Sequence, residues 1–489
     1  MRWLWSVIGG LVVLALVAAG ALLLVPSDQI ARLLARQIEK ATGADVSIGE
    51  ARASIWPETG VSMTEVSILV PGTTEPILGA ADITVSVDPV AFWGGEVRVR
   101  SIAMDSPVIR LRRYPDGSTN WALPAGAPPA ETEPATAPGT AAPAFGGVAL
   151  DEGTIRDGIV RYTDETTAQE WSATDLDMTV ALSETGGAEI EASFETAETP
   201  VSLTASIDAL GSALLGQIAG VTFAAESAES TAAFEGRAGF APMAAEGTIV
   251  ADLAAPGALA RRFGVAFPDL PAGIGRDRLS VAGTVTWTAD RSLHLRGGKI
   301  GADDNVLTGD LDLVPGERRP KLTARLAAGA LTFAPAAAAD GGDAPASPAA
   351  ASWSSDAIDA SALGLLDAEV RLDAASLTQG GFVFAPLRGR LTIERARGVV
   401  ELGELGLLGG TVTGQMVANN RDGLSVAADL TAQSTDIGVL AGAIGFDRLK
   451  GTGSARLKVL GVGNSVAAIM ESLEGEGSLG MPQAEVLGI

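Results

Sequence analysis

The chain has 489 residues, with 59 Asp and Glu against 34 Lys and Arg, for a formal charge of -25. So acidic a chain excludes nucleic acid as a partner, because phosphate binding needs a basic face. Cysteine is absent, which excludes disulfides, thiol catalysis and cysteine-ligated metals.

Residues 1–26 hold an uncharged apolar run, Trp3 to Val25, interrupted only by Ser6. A helix needs about 20 such residues to cross a hydrocarbon core roughly 30 Å thick. Ala18-Ala19-Gly20-Ala21 imitates a cleavage site, but the run continues through Val25, so an uncleaved anchor is expected rather than a signal peptide. Trp3 and Trp5 stand where aromatic side chains prefer the interface. The long remainder is expected on the exported side, since large domains translocate largely regardless of flanking charge.

A helix is predicted next, with Ser27 as N-cap, an apolar stripe of Ile30, Leu33, Leu34 and Ile38, and Gly43 as C-cap. Arg32, Arg36 and Lys40 form a separate basic face suited to lipid headgroups. The stripe suits packing on the following sheet equally well.

From there the period is two. Ile83, Val85 and Val87 alternate with Asp82, Thr84, Ser86 and Asp88. Val97 and Val99 alternate with Arg98 and Arg100, and Ile109 and Leu111 with Arg110 and Arg112. Each run is a strand wet on one face and apolar on the other. The pattern recurs at Val201-Ser202-Leu203, Val285-Thr286-Trp287, Leu311-Asp312-Leu313, Leu391-Thr392-Ile393 and Leu457-Lys458-Val459, with a turn at Asn419 to Gly423. One strand per about 15 residues gives roughly 28 strands. Short helices are expected near 209–218, 436–444 and 465–473.

Two stretches, 124–144 and 334–351, are rich in Pro, Ala, Gly and Thr or Asp and read as linkers. They divide the exported part into modules at 27–123, 145–333 and 352–489.

The chain offers little for catalysis. His294 is the one histidine, which argues against a His-dependent triad or a His-rich metal site and reads as a strand-surface residue. Gly297-Gly298 and Gly409-Gly410 read as bulges or turns rather than phosphate cradles. Asp303-Asp304-Asn305 reads as an acidic hairpin turn before a calcium site. The expectation is a protein that is not an enzyme and needs no cofactor or metal.

Two sets of segments carry a resemblance. Ser106-Pro107-Val108-Ile109-Arg110-Leu111 leads into Tyr114-Pro115-Asp116-Gly117-Ser118-Thr119-Asn120-Trp121, which, with the anchor, resembles the N-terminal region of the AsmA family. Leu366 to Ala374, Leu408 to Gly414, Leu449 to Gly453 and Leu473 to Leu479 resemble its C-terminal domain in order and spacing. That domain usually continues further than Ile489, so 352–489 reads as a shortened version.

The resemblance implies a single-pass inner-membrane protein, its bulk in the periplasm, acting in outer-membrane biogenesis with an envelope lipid such as a phospholipid as partner. It carries over no catalytic residues. It also implies a mainly β fold: the transmembrane helix, a short amphipathic helix, then an elongated, curled antiparallel β-sheet groove with a few short helices. Alternation alone fits a closed β-sandwich at least as well as an open groove; anchor and resemblance together favour the groove. Its candidate lining is Ile83, Val85, Val87, Val97, Val99, Ile109 and Leu111, with Arg32, Arg36 and Lys40 at the membrane surface. The alternative is a non-catalytic scaffold whose sheet edges hold outer-membrane assembly proteins.

Overall fold

The computed structural model describes residues 45–486 except 55–58, 71–72, 74, 89–98, 122–143, 146–147, 215–216, 241, 266, 269, 271, 334–352, 380–381, 437, 440–448 and 483–484. The expected anchor at 1–26, the basic helix with Arg32, Arg36 and Lys40, Val97 and nearly all of both linker stretches lie outside the described residues. Among the described residues no helix is long and apolar enough to cross a membrane. Strands dominate, 27 in all among the described residues, and form two compact units.

The first unit comprises residues 1–242 and 258–266. Its strands are β1 (Asp45–Ser47), β2 (Glu50–Ser54), β3 (Gly60–Leu69), β4 (Leu78–Val87), β5 (Val99–Asp105), β6 (Val108–Arg113) and β7 (Ala144–Phe145). They continue with β8 (Val148–Asp164), β9 (Gln169–Leu182), β10 (Ala188–Thr196), β11 (Thr199–Ile207), β12 (Ala219–Ser227) and β13 (Ser230–Phe240). β1 and β2 lie end to end along β3, which pairs with β4. β5 and β6 lie end to end between β4 and β8, and both run parallel to β8. From β8 to β13 each strand pairs antiparallel with the next.

The second unit comprises residues 243–257 and 267–489. It holds β14 (Met243–Ala254), β15 (Arg278–Trp287), β16 (Leu293–Ala302), β17 (Asn305–Val314), β18 (Lys321–Phe333), β19 (Asp367–Gln379) and β20 (Phe382–Glu394). There follow β21 (Arg397–Leu407), β22 (Gly410–Asn419), β23 (Ser425–Asp436), β24 (Leu449–Lys450), β25 (Thr452–Val462), β26 (Glu474–Gly480) and β27 (Glu485–Val486). Pairing is antiparallel from β14 to β18, parallel between β18 and β19, then antiparallel through β23 to β25 and β26.

The expected all-antiparallel sheet is therefore corrected by two parallel junctions, β5/β6 on β8 and β18 on β19. Parallel partners cannot be joined by a tight hairpin and need a crossover of about a dozen residues or more. Both Pro- and Ala-rich stretches sit in those crossovers, one between β6 and β8, the other between β18 and β19. The chain passes between its two compact units at 242–243, 257–258 and 266–267, all within the 145–333 stretch that composition reads as one module.

A line of left-handed residues crosses the first unit, in unbroken register at Glu65 and Ser106 and with register shifts near Asp157 and Asp175. Met63 and Val66 are three residues apart yet both buried in one cluster, as are Ala80 and Ile83. Ala173 and Leu176 are likewise both buried three apart. A residue held in the left-handed region absorbs the offset: Glu65 at φ 50°, Ser106 at 49°, Asp157 at 52° and Asp175 at 50°. The strands bend there while the same face stays apolar. In the second unit Ser434 (φ 54°) stands at a register shift in β23, and glycines let neighbouring strands approach closely. A Cβ on Gly309 (φ 150°) would lie 1.9 Å from the Arg325 carbonyl oxygen, and one on Gly414 (φ 135°) 2.1 Å from that of Asp429.

Among the described residues three short α-helices stand at strand ends, Leu210–Leu214, Pro256–Arg262 and Val466–Glu471, while the helix expected at 436–444 lies mostly outside the described residues. Leu210–Leu214 packs Ala213 against Ile207 and Ala219. Val466–Glu471 starts at Ser465, whose side chain accepts from the Ala468 N–H. A strap before β19 docks on the start of the Val466–Glu471 helix, through Ile358 N–H to Asn464 O (2.7 Å), Ala467 N–H to Ser354 O (2.9 Å) and a bridge between Ala357 and Ser465.

Candidate functional site

Strand register lines apolar side chains into rows that cross the first unit. Met63, Ile83, Met104, Ile155, Met178, Ala192, Leu203, Ala225 and Ala232 are successive partners on nine strands. A second row runs Val61, Val85, Ile102, Gly153, Val180, Ile190, Ala205, Phe223 and Phe234. Between them, on the other face, stand Ser62, Thr84, Ala103, Thr154, Thr179, Glu191 and Thr204. At about 4.8 Å per strand, each apolar row is about 38 Å long.

The sequence-picked residues fall on this face unevenly. Ile83 is 8% exposed and sits in a buried cluster with Met63 and Ala51; Val85 packs against that cluster. Ile109 neighbours Leu78 and Val160, and Leu111 neighbours Tyr162. Val99 pairs with Val87 across a register shift. The actual neighbours of Ile83 and Val85 are Met104 and Ile102. These two escape a reading by alternation because Ser101 and Ala103 contrast weakly with them.

The second unit repeats the arrangement. Leu311, Ala324, Val370, Leu391, Val400, Met416, Ala428 and Val459 form a row across eight strands. The adjoining row on the other face is charged: Asp310, Arg325, Arg371, Arg390, Glu401, Gln415, Asp429, Lys458 and Glu476. Ion pairs tie this face together, with Glu369 3.7 Å from Arg371 and 3.5 Å from Arg390, and Glu404 2.6 Å from Arg388. Exposure changes along the apolar face. Leu331, in a cluster with Leu387 and Leu402, is 2% exposed, whereas Leu457 on β25 and Leu479 on β26 are 46% and 56% exposed.

The polar side chains have structural partners. His294 bonds Asp312 through Nδ1 at 2.5 Å, and Arg296 bonds the same carboxylate at 2.6 Å. Burial raises the Asp312 carboxyl, but these hydrogen bonds outweigh it and hold it below the ordinary range. Asp303 closes the β16–β17 hairpin and accepts backbone N–H groups from Gly273, Gly275, Arg276, Asp277 and Arg278. Burial works to raise its carboxyl, yet the donors pull it down to about 2. Gly297 (φ 56°) lies in a bulge, and Gly409 (φ 77°) in the β21–β22 turn. Among the described residues no group of His, Cys, Asp and Glu could hold a metal ion.

The Asp116 to Trp121 segment forms a latch. Asp116 accepts from the backbone N–H and hydroxyl of Ser118, and Gly117 takes φ 83° to close the turn. Asn120, 7% exposed, then caps the side of β6 that β4 leaves unpaired. Its Oδ1 accepts from the Arg112 N–H, its Nδ2 donates to the Arg110 carbonyl, and its own N–H bonds the Arg112 carbonyl. Trp121 packs on Tyr162 with ring centroids 6.1 Å apart.

Residues 2–222, which contain this latch, match the model of the AsmA family. Over these residues the chain is AsmA-family sequence. No curated protein and no solved structure matches it. The other AsmA-like segments lie beyond the matched residues. Leu408 to Gly414 turns β21 into β22, and Leu473 to Leu479 opens into β26.

Proposed function

We propose that this AsmA-family protein is held in the inner membrane by residues 3–25, with its bulk in the periplasm. There it binds lipid acyl chains along the apolar face and assists their passage between membranes. At about 0.8 kcal/mol per CH₂, bringing two sixteen-carbon tails into water costs about 25 kcal/mol. An apolar row removes most of that barrier while headgroups stay wet. The unbroken row from Met63 to Ala232, backed by a polar face, is the observation that carries this reading. A second reading, a scaffold for outer-membrane assembly proteins, draws on β26, which pairs with β25 alone among the described strands.

Native mass spectrometry of the full chain, purified in mild detergent, tests the first reading. Bound lipid is expected on the unmodified chain and on Thr204→Asp, and a loss of at least tenfold on Ala205→Asp. Equal lipid on both variants, or none on any, would count against it.

A further inference from the structure

We infer that a phosphate-monoester site lies on the polar face of the first unit, where β6 pairs with β8. A pocket of about 140 Å³ is lined by Arg110, Arg112, Arg161, Thr73, Tyr114 and Thr163, with Glu75 at its side. At about 30 Å³ per water in the liquid, that is room for about five waters, or one phosphate group with part of its hydration.

Charge sets the class of ligand. Arg110 and Arg161 are direct partners in the parallel β6–β8 register, and like charges side by side destabilise a sheet. Next to Arg161 on β9 stands Ser172, not a carboxylate. Among the described residues no ion pair joins either guanidinium to an acid; Arg112 alone has them, with Glu75 and Glu165 at 3.4 Å each. Another arginine pair, Arg325 beside Arg371, differs on this point. Asp310 neighbours Arg325 in register, and Glu369 lies 3.7 Å from Arg371.

In a chain of net charge -25, two adjacent uncompensated arginines lining a pocket call for an anion. With Glu75 and Glu165 both paired to Arg112, the three guanidinium groups leave a net charge of +1 at the pocket, and Arg110 and Arg161 are the two open to an anion. A phosphate monoester carries about -1.5 to -2 at pH 7 and can pair with these two guanidinium groups. The Thr73, Thr163 and Tyr114 hydroxyls add polar groups at the wall. Such a monoester reaches the site on a soluble molecule or as a lipid headgroup. The inference does not depend on lipid binding at the apolar face.

Isothermal titration calorimetry on the full chain in detergent micelles tests it, with inorganic phosphate and dihexanoyl phosphatidic acid as probes. Binding of at least one probe is expected, weakened at least tenfold by Arg110→Gln/Arg161→Gln and unchanged by Arg325→Gln/Arg371→Gln. Phosphatidic acid alone would identify a headgroup site, inorganic phosphate alone a soluble ligand, and both a site for the monoester itself. The Arg110→Gln/Arg161→Gln variant should melt at or above the parent temperature, since it removes a like-charge pair. No binding of either probe at 10 mM, or equal binding by both double variants, would overturn the site.

Discussion

Met104 of β5 stands beside Ile155 of β8 in a parallel pairing, and this contact carries the apolar face across the crossover at 114–147. Ile155 is 5% exposed, and Met104 packs against the cluster around Ile83. Ile155→Ala should cost about 2–4 kcal/mol in denaturant unfolding. Thr154→Ala, on the other face, should stay within about 0.5 kcal/mol.

Asn120→Ala should leave the Arg112 N–H and the Arg110 carbonyl without partners, at about 1–3 kcal/mol. Hydrogen exchange at the Arg112 amide should accelerate. Asn120→Asp keeps the acceptor and loses the donor, so it should fall between the two.

Asp303 gives the second unit a defined acid response. Its folded pKa, about 2, lies below the ordinary 3.8. The stabilisation is therefore complete above about pH 4 and drains away as pH falls towards 2. Melting of Asp303→Asn should be lower than that of the parent at pH 7 and less sensitive to pH across that window.

The strands were legible because one face is wet. Val201, Leu203, Val285, Leu311, Leu391 and Leu457 all lie in strands where alternation places them. The helix expected near 465–473 is present as Val466–Glu471, and its Ser465 cap emerges from the structure. The crossovers were not legible as such, because Pro- and Ala-rich composition shows where regular structure stops and not which strands it joins. Left-handed residues hid part of the site. A residue such as Ser106 shifts the alternation by one, so Ile102 and Met104 on β5 and Ile109 on β6 belong to one apolar face despite their different parity. The latch at Asn120 could be found only through the family motif, since a buried asparagine has no periodic signature.

The strap over the Val466–Glu471 helix can be locked, because the chain contains no cysteine. Ala357 and Ser465 form an antiparallel bridge, so Ala357→Cys/Ser465→Cys should oxidise to one disulfide, seen as a shift on a non-reducing gel. It closes a loop of about 100 residues and, with the Ser465 helix cap lost, should stabilise the second unit by about 1–3 kcal/mol.

Photo-crosslinking from the apolar face tests the central claim most directly. A photoreactive residue at Val85, which packs beside Ile102, should yield lipid adducts in cells. The same residue at Thr84, one step along the strand on the polar face, should yield none. Protein adducts alone at Val85, or equal lipid adducts at both positions, would contradict a lipid-binding face.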